Sequence, residues 1–226
     1  MKCRFFHFIS LFALSILLIT ACKGMPSITS KSEPAPLQVA YSLWPGYFPM
    51  VIAQEKGFFT QQGVKVELVY LKNYLEPLSE FSTGKYDGVV LAMSSVVNTS
   101  DGQIVLVTDR SAGADTFLAN TSITTLADVL GEFGELFVLN LLEQNRLTTD
   151  DVTLVNVEGE AVPQSLQKGD IQAGHTWSPY SSQAIKAGAK VLFTSKQTPG
   201  LIPSVVLFRN NPIRDRPKQI AAFIRA

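Results

Sequence analysis

The residues able to do chemistry fall in short, separated phrases. Ser42, Trp44 and Tyr47 flank a Pro45-Gly46 bend, which puts two large flat rings on one turn. Such rings supply contact area at low side-chain entropy cost, so the chemistry they suit is stacking on a ring or an alkyl chain. Ser94 and Ser95 offer hydroxyls and backbone N–H groups. Gly131-Glu132-Phe133-Gly134 offers glycine N–H groups just ahead of an apolar helical run, with Phe133 as a further stacking surface. Both arrangements suit an anion, because the first turn of a helix carries unpaired N–H groups at the positive end of its dipole. Glu132 and Glu135 compete for that end. Asp115 follows Ser111-Ala112-Gly113-Ala114, small residues that let a backbone come close to a partner. Its carboxylate would accept from a ligand amine or ring N–H, pair with Arg110, or cap a turn. His175-Thr176-Trp177-Ser178-Pro179 adds a hydroxyl and a further indole.

The same inventory argues against catalysis. His7, His175, Cys3 and Cys22 are all the histidines and cysteines of the chain. No nucleophile is spaced to meet a base, and no Gly-x-Ser-x-Gly elbow occurs, so the reading is a binding site and not an enzyme, with no cofactor. A zinc site lacks its usual ligands. His175 reads as a packed or partner-bonded histidine.

Position follows from the elements between these phrases. Val39 and Tyr41 alternate as a half-buried strand does, and a helix starts near Phe48 or Pro49 and ends at Gly57. Strands are expected at 64–69, 86–91, 104–107, 152–157, 171–177, 189–193 and 202–209, alternating with helices at 75–81, 135–144, 160–170, 180–187 and from 216 onward. Alternation of this kind builds an α/β fold, and Trp44, Ser94, Asp115 and Trp177 then lie at or near strand ends, where open α/β sheets hold ligands.

Lys2 and Arg4 precede an apolar run from Phe5 to Ile19 and the phrase Ile19-Thr20-Ala21-Cys22, which reads as a secretion signal over residues 1–21. Residues 22–36 are rich in Ser, Thr, Pro, Lys and Glu and read as a tether. Lys plus Arg and Asp plus Glu number 19 each, so no basic field gathers a nucleic acid. Without a disulfide framework, a hydrophobic core has to hold the fold.

Trp-Pro-Gly-Tyr-Phe-Pro at 44–49, followed by Ile-Ala-Gln-Glu-Lys-Gly-Phe-Phe at 52–59 and Gly-Val-Lys-Val-Glu-Leu-Val at 63–69, resembles the opening of solute-binding proteins of ABC importers. The group is the one that takes up nitrate, taurine and other sulfonates, or the pyrimidine precursor of thiamine. Ser-Ala-Gly-Ala-Asp at 111–115, Ile-Thr-Thr-Leu-Ala-Asp-Val at 123–129 and His-Thr-Trp-Ser-Pro at 175–179 continue the resemblance. It implies a two-lobed periplasmic-binding-protein-like fold of type II, each lobe a mixed sheet flanked by helices. Lobe one is 37–115, lobe two 116–203, and 204–226 returns to lobe one.

Ile19-Thr20-Ala21-Cys22 resembles a bacterial lipobox, which implies a lipoprotein acylated at Cys22 by a palmitate-type chain, either membrane-anchored or periplasmic. The partners implied are a small-molecule ligand and an ABC permease, with the protein a monomer. An organic anion of the sulfonate or nitrate kind is the expected ligand; the alternatives are a thiamine-precursor pyrimidine, a ligand-sensing role, and a pyrimidine-synthesis enzyme. The chain departs from the pattern by lacking an expected strand in lobe two before Gly131, filled only if 118–129 rearranges, and by stopping inside its final helix.

Overall fold

The computed structural model describes residues 34–120, 125–128 and 133–226; Cys22 and Gly131, and the side chain of Phe133, lie outside them. Strand β1 (Leu37–Tyr41) buries Leu37, Val39 and Ala40 and leads through a 3-10 turn, Pro45–Tyr47, into helices α1 (Phe48–Glu55) and α2 (Phe58–Gln61). The chain continues through β2 (Val66–Tyr70), α3 (Glu76–Ser82), β3 (Gly88–Ala92), the single turn α4 (Met93–Val96) and β4 (Gln103–Arg110). Lobe two follows with β5 (Asp115–Ala119), β6 (Thr125–Asp128), α5 (Phe133–Gln144), β7 (Thr153–Asn156), α6 (Val162–Lys168), β8 (Ala173–Trp177), α7 (Tyr180–Lys186) and β9 (Lys190–Thr194). β10 (Pro203–Phe208) returns to the first sheet, and α8 (Asn210–Asp215) and α9 (Pro217–Arg225) follow it.

The two sheets share one plan. Their orders are β2-β1-β3-β10-β4 and β7-β6-β8-β5-β9. In each, three strands run parallel and the fourth, β10 or β5, runs antiparallel to both its neighbours. That fourth strand is the one the chain sends across from the other lobe. β3, β5, β8 and β10 are buried along their whole length, β3 and β10 with nearly continuous apolar sequences, whereas the edge strands β2, β4, β7 and β9 expose part of theirs.

The expected gap in lobe two is filled. β6 pairs parallel with both β7 and β8, with Leu126 opposite Leu154 and Ala173, so Thr125–Asp128 supplies a fifth strand to the second sheet. Without β6, the buried backbone of β8 would have unpaired groups along one side, a cost that outweighs the weak strand signal of Thr-Leu-Ala-Asp.

One apolar cluster joins Leu37 and Val89 of the first sheet, through Trp44, Tyr74 and Trp177, to Phe117 of the second sheet and Phe137 of α5. A smaller one packs Leu118, Val162, Leu166 and Ile171 on the other side of the second sheet. The two interlobe crossings touch: Ser111 N donates to Ile202 O at 2.9 Å, and Ser195 Oγ lies 2.8 Å from Ser111 Oγ while accepting the Gly113 N–H at 2.6 Å. No helix of the described residues is long and apolar enough to cross a membrane.

Candidate functional site

The turn after β1 sets the first wall. Pro45 opens the 3-10 turn, where its missing N–H costs nothing, and Trp44 precedes it in an extended conformation. The Trp44 indole N–H donates to Asp109 Oδ2 at 2.8 Å, so the ring is held in a fixed plane. Gly46 is necessary to this arrangement, because a Cβ there would occupy the position of the Asp109 carboxylate. Tyr47 is 2 % exposed and its hydroxyl bonds to Ser204. Burial first, and then the neighbouring Tyr74, Asp109 and Asp115, push that hydroxyl well above its ordinary pKa, so it stays protonated.

Tyr74 completes the lobe-one side. Its hydroxyl shares a hydrogen bond with Ser95 Oγ at 3.1 Å and accepts the Ala92 N–H at 3.3 Å, which ties it to the end of β3. Its ring meets Trp177 of lobe two at 5.3 Å between centroids. Register explains why Trp177 is there: the antiparallel pairing of β5 with β8 puts Asp115 directly opposite Trp177, with Phe117 opposite His175. Gly159 backs the indole and has no room for a side chain. Asp115, 1 % exposed, places Oδ1 3.3 Å from His175 Nε2, while Oδ2 has no hydrogen-bond partner among the described residues.

Trp44, Tyr47, Tyr74, Asp115, Trp177 and Ser204 line one cavity, together with Ala92 and Ile202. It has a volume of about 10 Å³, the space of about one water. A larger solute enters only if the lobes part or Trp177 moves from Tyr74. A second cavity, of about 580 Å³, is lined by Asn73, Glu76 and Glu80 from lobe one and by Glu158, Glu160 and Tyr180 from lobe two. Among the described residues no group of three or more His, Cys, Asp or Glu side chains is placed to hold a metal ion.

Four of the residues singled out from sequence, Trp44, Tyr47, Asp115 and Trp177, thus meet in one place. Others do not. Ser42 is buried off that cavity, Ser94 is half-buried on α4, and Ser95 reaches the site only through Tyr74. Thr176 is buried and its hydroxyl donates to Gly159 O at 2.7 Å, which removes it as a ligand donor. Sequence reasoning placed Tyr74 only in a connecting stretch, and it missed Asp109 and Ser204, whose roles depend on partners that are distant along the chain.

A model of a family described as NMT1/THI5 like matches residues 44–226. A Bacillus subtilis (strain 168) protein named for binding aliphatic sulfonates is 24 % identical over 200 residues, 78 % of this chain and 59 % of that protein. Two proteins named 4-amino-5-hydroxymethyl-2-methylpyrimidine phosphate synthase are also similar. The one from Aspergillus parasiticus is 27 % identical over 146 residues, 58 % of this chain and 42 % of its own. The one from Uromyces fabae is 23 % identical over 212 residues, 80 % and 61 %. The chain therefore spans between 42 % and 61 % of the length of these curated relatives.

Among solved structures, the ligand-binding component of an ABC-type import system from Staphylococcus aureus matches with TM-score 0.70 at 16 % identity, over 84 % of this chain and 72 % of that one. The periplasmic aliphatic sulphonate binding protein from Escherichia coli matches with TM-score 0.65 at 20 % identity, over 84 % and 72 %. These likenesses establish the fold. The exclusion of enzymes read from the sequence is overturned by the two synthase-named relatives, because the absence of a nucleophile and base pair in sequence does not separate binding from catalytic members. Matched by the family model over most of its length and built on the same two-lobed fold, the chain belongs to the NMT1/THI5 like family.

Proposed function

We propose that this chain captures a small organic solute between its lobes and delivers it to the permease of an ABC importer. The observation that carries this reading is the convergence of Trp44 and Tyr47 from one lobe with Asp115 and Trp177 from the other on one cavity beside the two crossings. A cleft walled by both lobes grips its solute by closing, and closure removes water from the contacts. The aromatic walls and the buried Asp115 carboxylate disfavour, as the part held most deeply, the sulfonate-type anion that Ser94, Ser95 and the Gly131 loop suggested. Titration calorimetry against a panel of sulfonates, amines and pyrimidines, with small-angle scattering of the same samples, tests the reading. Binding with compaction is expected; binding at full occupancy without compaction would sink the two-lobed grip.

A second reading, favoured by the synthase-named relatives, is that the chain takes part in forming a pyrimidine phosphate. Mass spectrometry of the panel compounds after incubation separates the two, since a transported solute is returned unchanged. Export and lipid anchoring through Cys22 belong to the transport reading and rest on Lys2, Arg4, the apolar run and Ile19-Thr20-Ala21-Cys22. Membrane fractionation with mass spectrometry of the N-terminal peptide decides that point, and an unmodified Cys22 in the soluble fraction counts against it.

A further inference from the structure

The aromatic pocket contains an acceptor with no donor among the described residues. Asp115 Oδ2 lines the cavity, is buried, and has no hydrogen-bond partner among the described residues, although Oδ1 is engaged by His175. A buried carboxylate oxygen left without a donor costs free energy, so a group that brings one to this point gains more than it would in water. The walls favour one sign of charge. Trp44, Tyr47, Tyr74 and Trp177 present aromatic rings, whose faces attract cations, and no Lys or Arg is among the residues lining the cavity. Asp109, the next acid, stands behind Trp44 and holds its indole. An anion in this space would meet a carboxylate and ring faces with no lysine or arginine among the described lining residues to offset them.

Size narrows the choice. About 10 Å³ is the room of one water-sized group, which a primary ammonium head fills and a sulfonate head exceeds. The rest of a solute has a place to lie once Trp177 moves from Tyr74: the cavity of about 580 Å³ is lined by Asn73 and Leu75, the chain neighbours of Tyr74, and by Tyr180, whose ring is 6.3 Å from that of Trp177. Four glutamates line that outer space against one lysine, Lys72, so it too favours a positive solute.

Resting on the solute-capture reading above, we infer that the pocket selects an organic cation bearing a primary ammonium group, with an N–H on Asp115 Oδ2, the charge against the aromatic faces, and the body of the molecule in the outer cavity. The probes are benzylammonium, benzyltrimethylammonium, which has the charge without an N–H, and benzenesulfonate, titrated calorimetrically into the wild-type chain and into Asp115→Asn. Benzylammonium is expected to bind, benzyltrimethylammonium to bind at least about tenfold more weakly, and benzenesulfonate not to bind, while Asp115→Asn weakens benzylammonium by about tenfold or more. If Asp115→Asn loses its thermal transition, the three-probe comparison on the wild-type chain decides alone. Benzenesulfonate binding in preference to benzylammonium would overturn the charge assignment and leave solute capture standing. Equal affinity for the two cations would overturn the N–H contact. No binding of any probe into the millimolar range would overturn the ammonium pocket, and a sulfonate or pyrimidine from the wider panel that then binds with compaction would still uphold solute capture.

Discussion

Asp109 Oδ2 accepts the Trp44 indole N–H at 2.8 Å, across 65 positions of sequence, and Gly46 leaves the space in which that carboxylate sits. The bond ties the end of β4 to the turn after β1, so the orientation of the Trp44 ring depends on the first sheet's edge strand. Asp109→Ala is expected to lose about 1 kcal/mol or somewhat more, and Gly46→Ala about 1–3 kcal/mol from overpacking. Urea unfolding measures both. Tryptophan emission in a Trp177→Phe background should shift to the red in each, and an unshifted spectrum in Asp109→Ala would show that the ring is held by packing alone.

Gly159 plays the matching part in lobe two. A Cβ there would overlap the Trp177 ring, and the backbone cannot withdraw freely because Gly159 O accepts the buried Thr176 hydroxyl at 2.7 Å. Gly159→Ala is expected to turn Trp177 away from Tyr74, at a cost of about 1–3 kcal/mol. Near-ultraviolet circular dichroism reports the loss of the Tyr74 and Trp177 packing; a spectrum identical to wild type would refute the steric argument.

The two interlobe crossings are joined by the Ser111 and Ser195 hydroxyls, and Ser111 Oγ also accepts the Asp115 N–H at 3.3 Å. Ser195→Ala leaves the Gly113 N–H and the Ser111 hydroxyl each short of a partner. A loss of about 1–3 kcal/mol is expected by denaturant unfolding, with faster amide exchange at 111–115. Exchange unchanged in that segment would mean that the crossings are held by the strands on either side.

Glu160 makes stability depend on pH in the less common direction. Burial, with Glu158 adding to it, raises its carboxyl above the ordinary 4.5, although hydrogen bonds from its own N–H and from the Tyr74 N–H pull the other way. The folded state therefore binds this proton more tightly than the unfolded state. Below 4.5 the group is protonated in both states and imposes no penalty; as pH rises from there through the folded value, stability is lost. Glu160→Gln should match the wild-type melting temperature at the acid end and exceed it above, whereas parallel melting curves across the range would rule the effect out.

Trp44, Pro45, Gly46 and Tyr47 were legible as a wall because an aromatic turn between a strand and a helix is a local arrangement, written in adjacent residues. Asp115 was legible as an unusual charge beside small residues, but its partner was not Arg110; it is His175, brought to it by strand pairing. Ser94, Ser95 and Thr176 had the right chemistry in the right neighbourhood, yet Thr176 satisfies a backbone carbonyl and Ser95 satisfies Tyr74.

By itself the sequence determined the α/β alternation and the buried central strands, such as Gly88–Ala92 and Pro203–Phe208, because side-chain alternation and continuous apolar runs are short-range properties of the chain. It also determined which residue types could form the site. Only the tertiary structure decided that Thr125–Asp128 is a strand, since four weakly patterned residues take that form when β7 and β8 offer backbone groups that need partners. It likewise decided that Asp115 lies beside Trp177 and that Asp109 holds Trp44, because both depend on which distant segments bury each other, and no local periodicity encodes that choice.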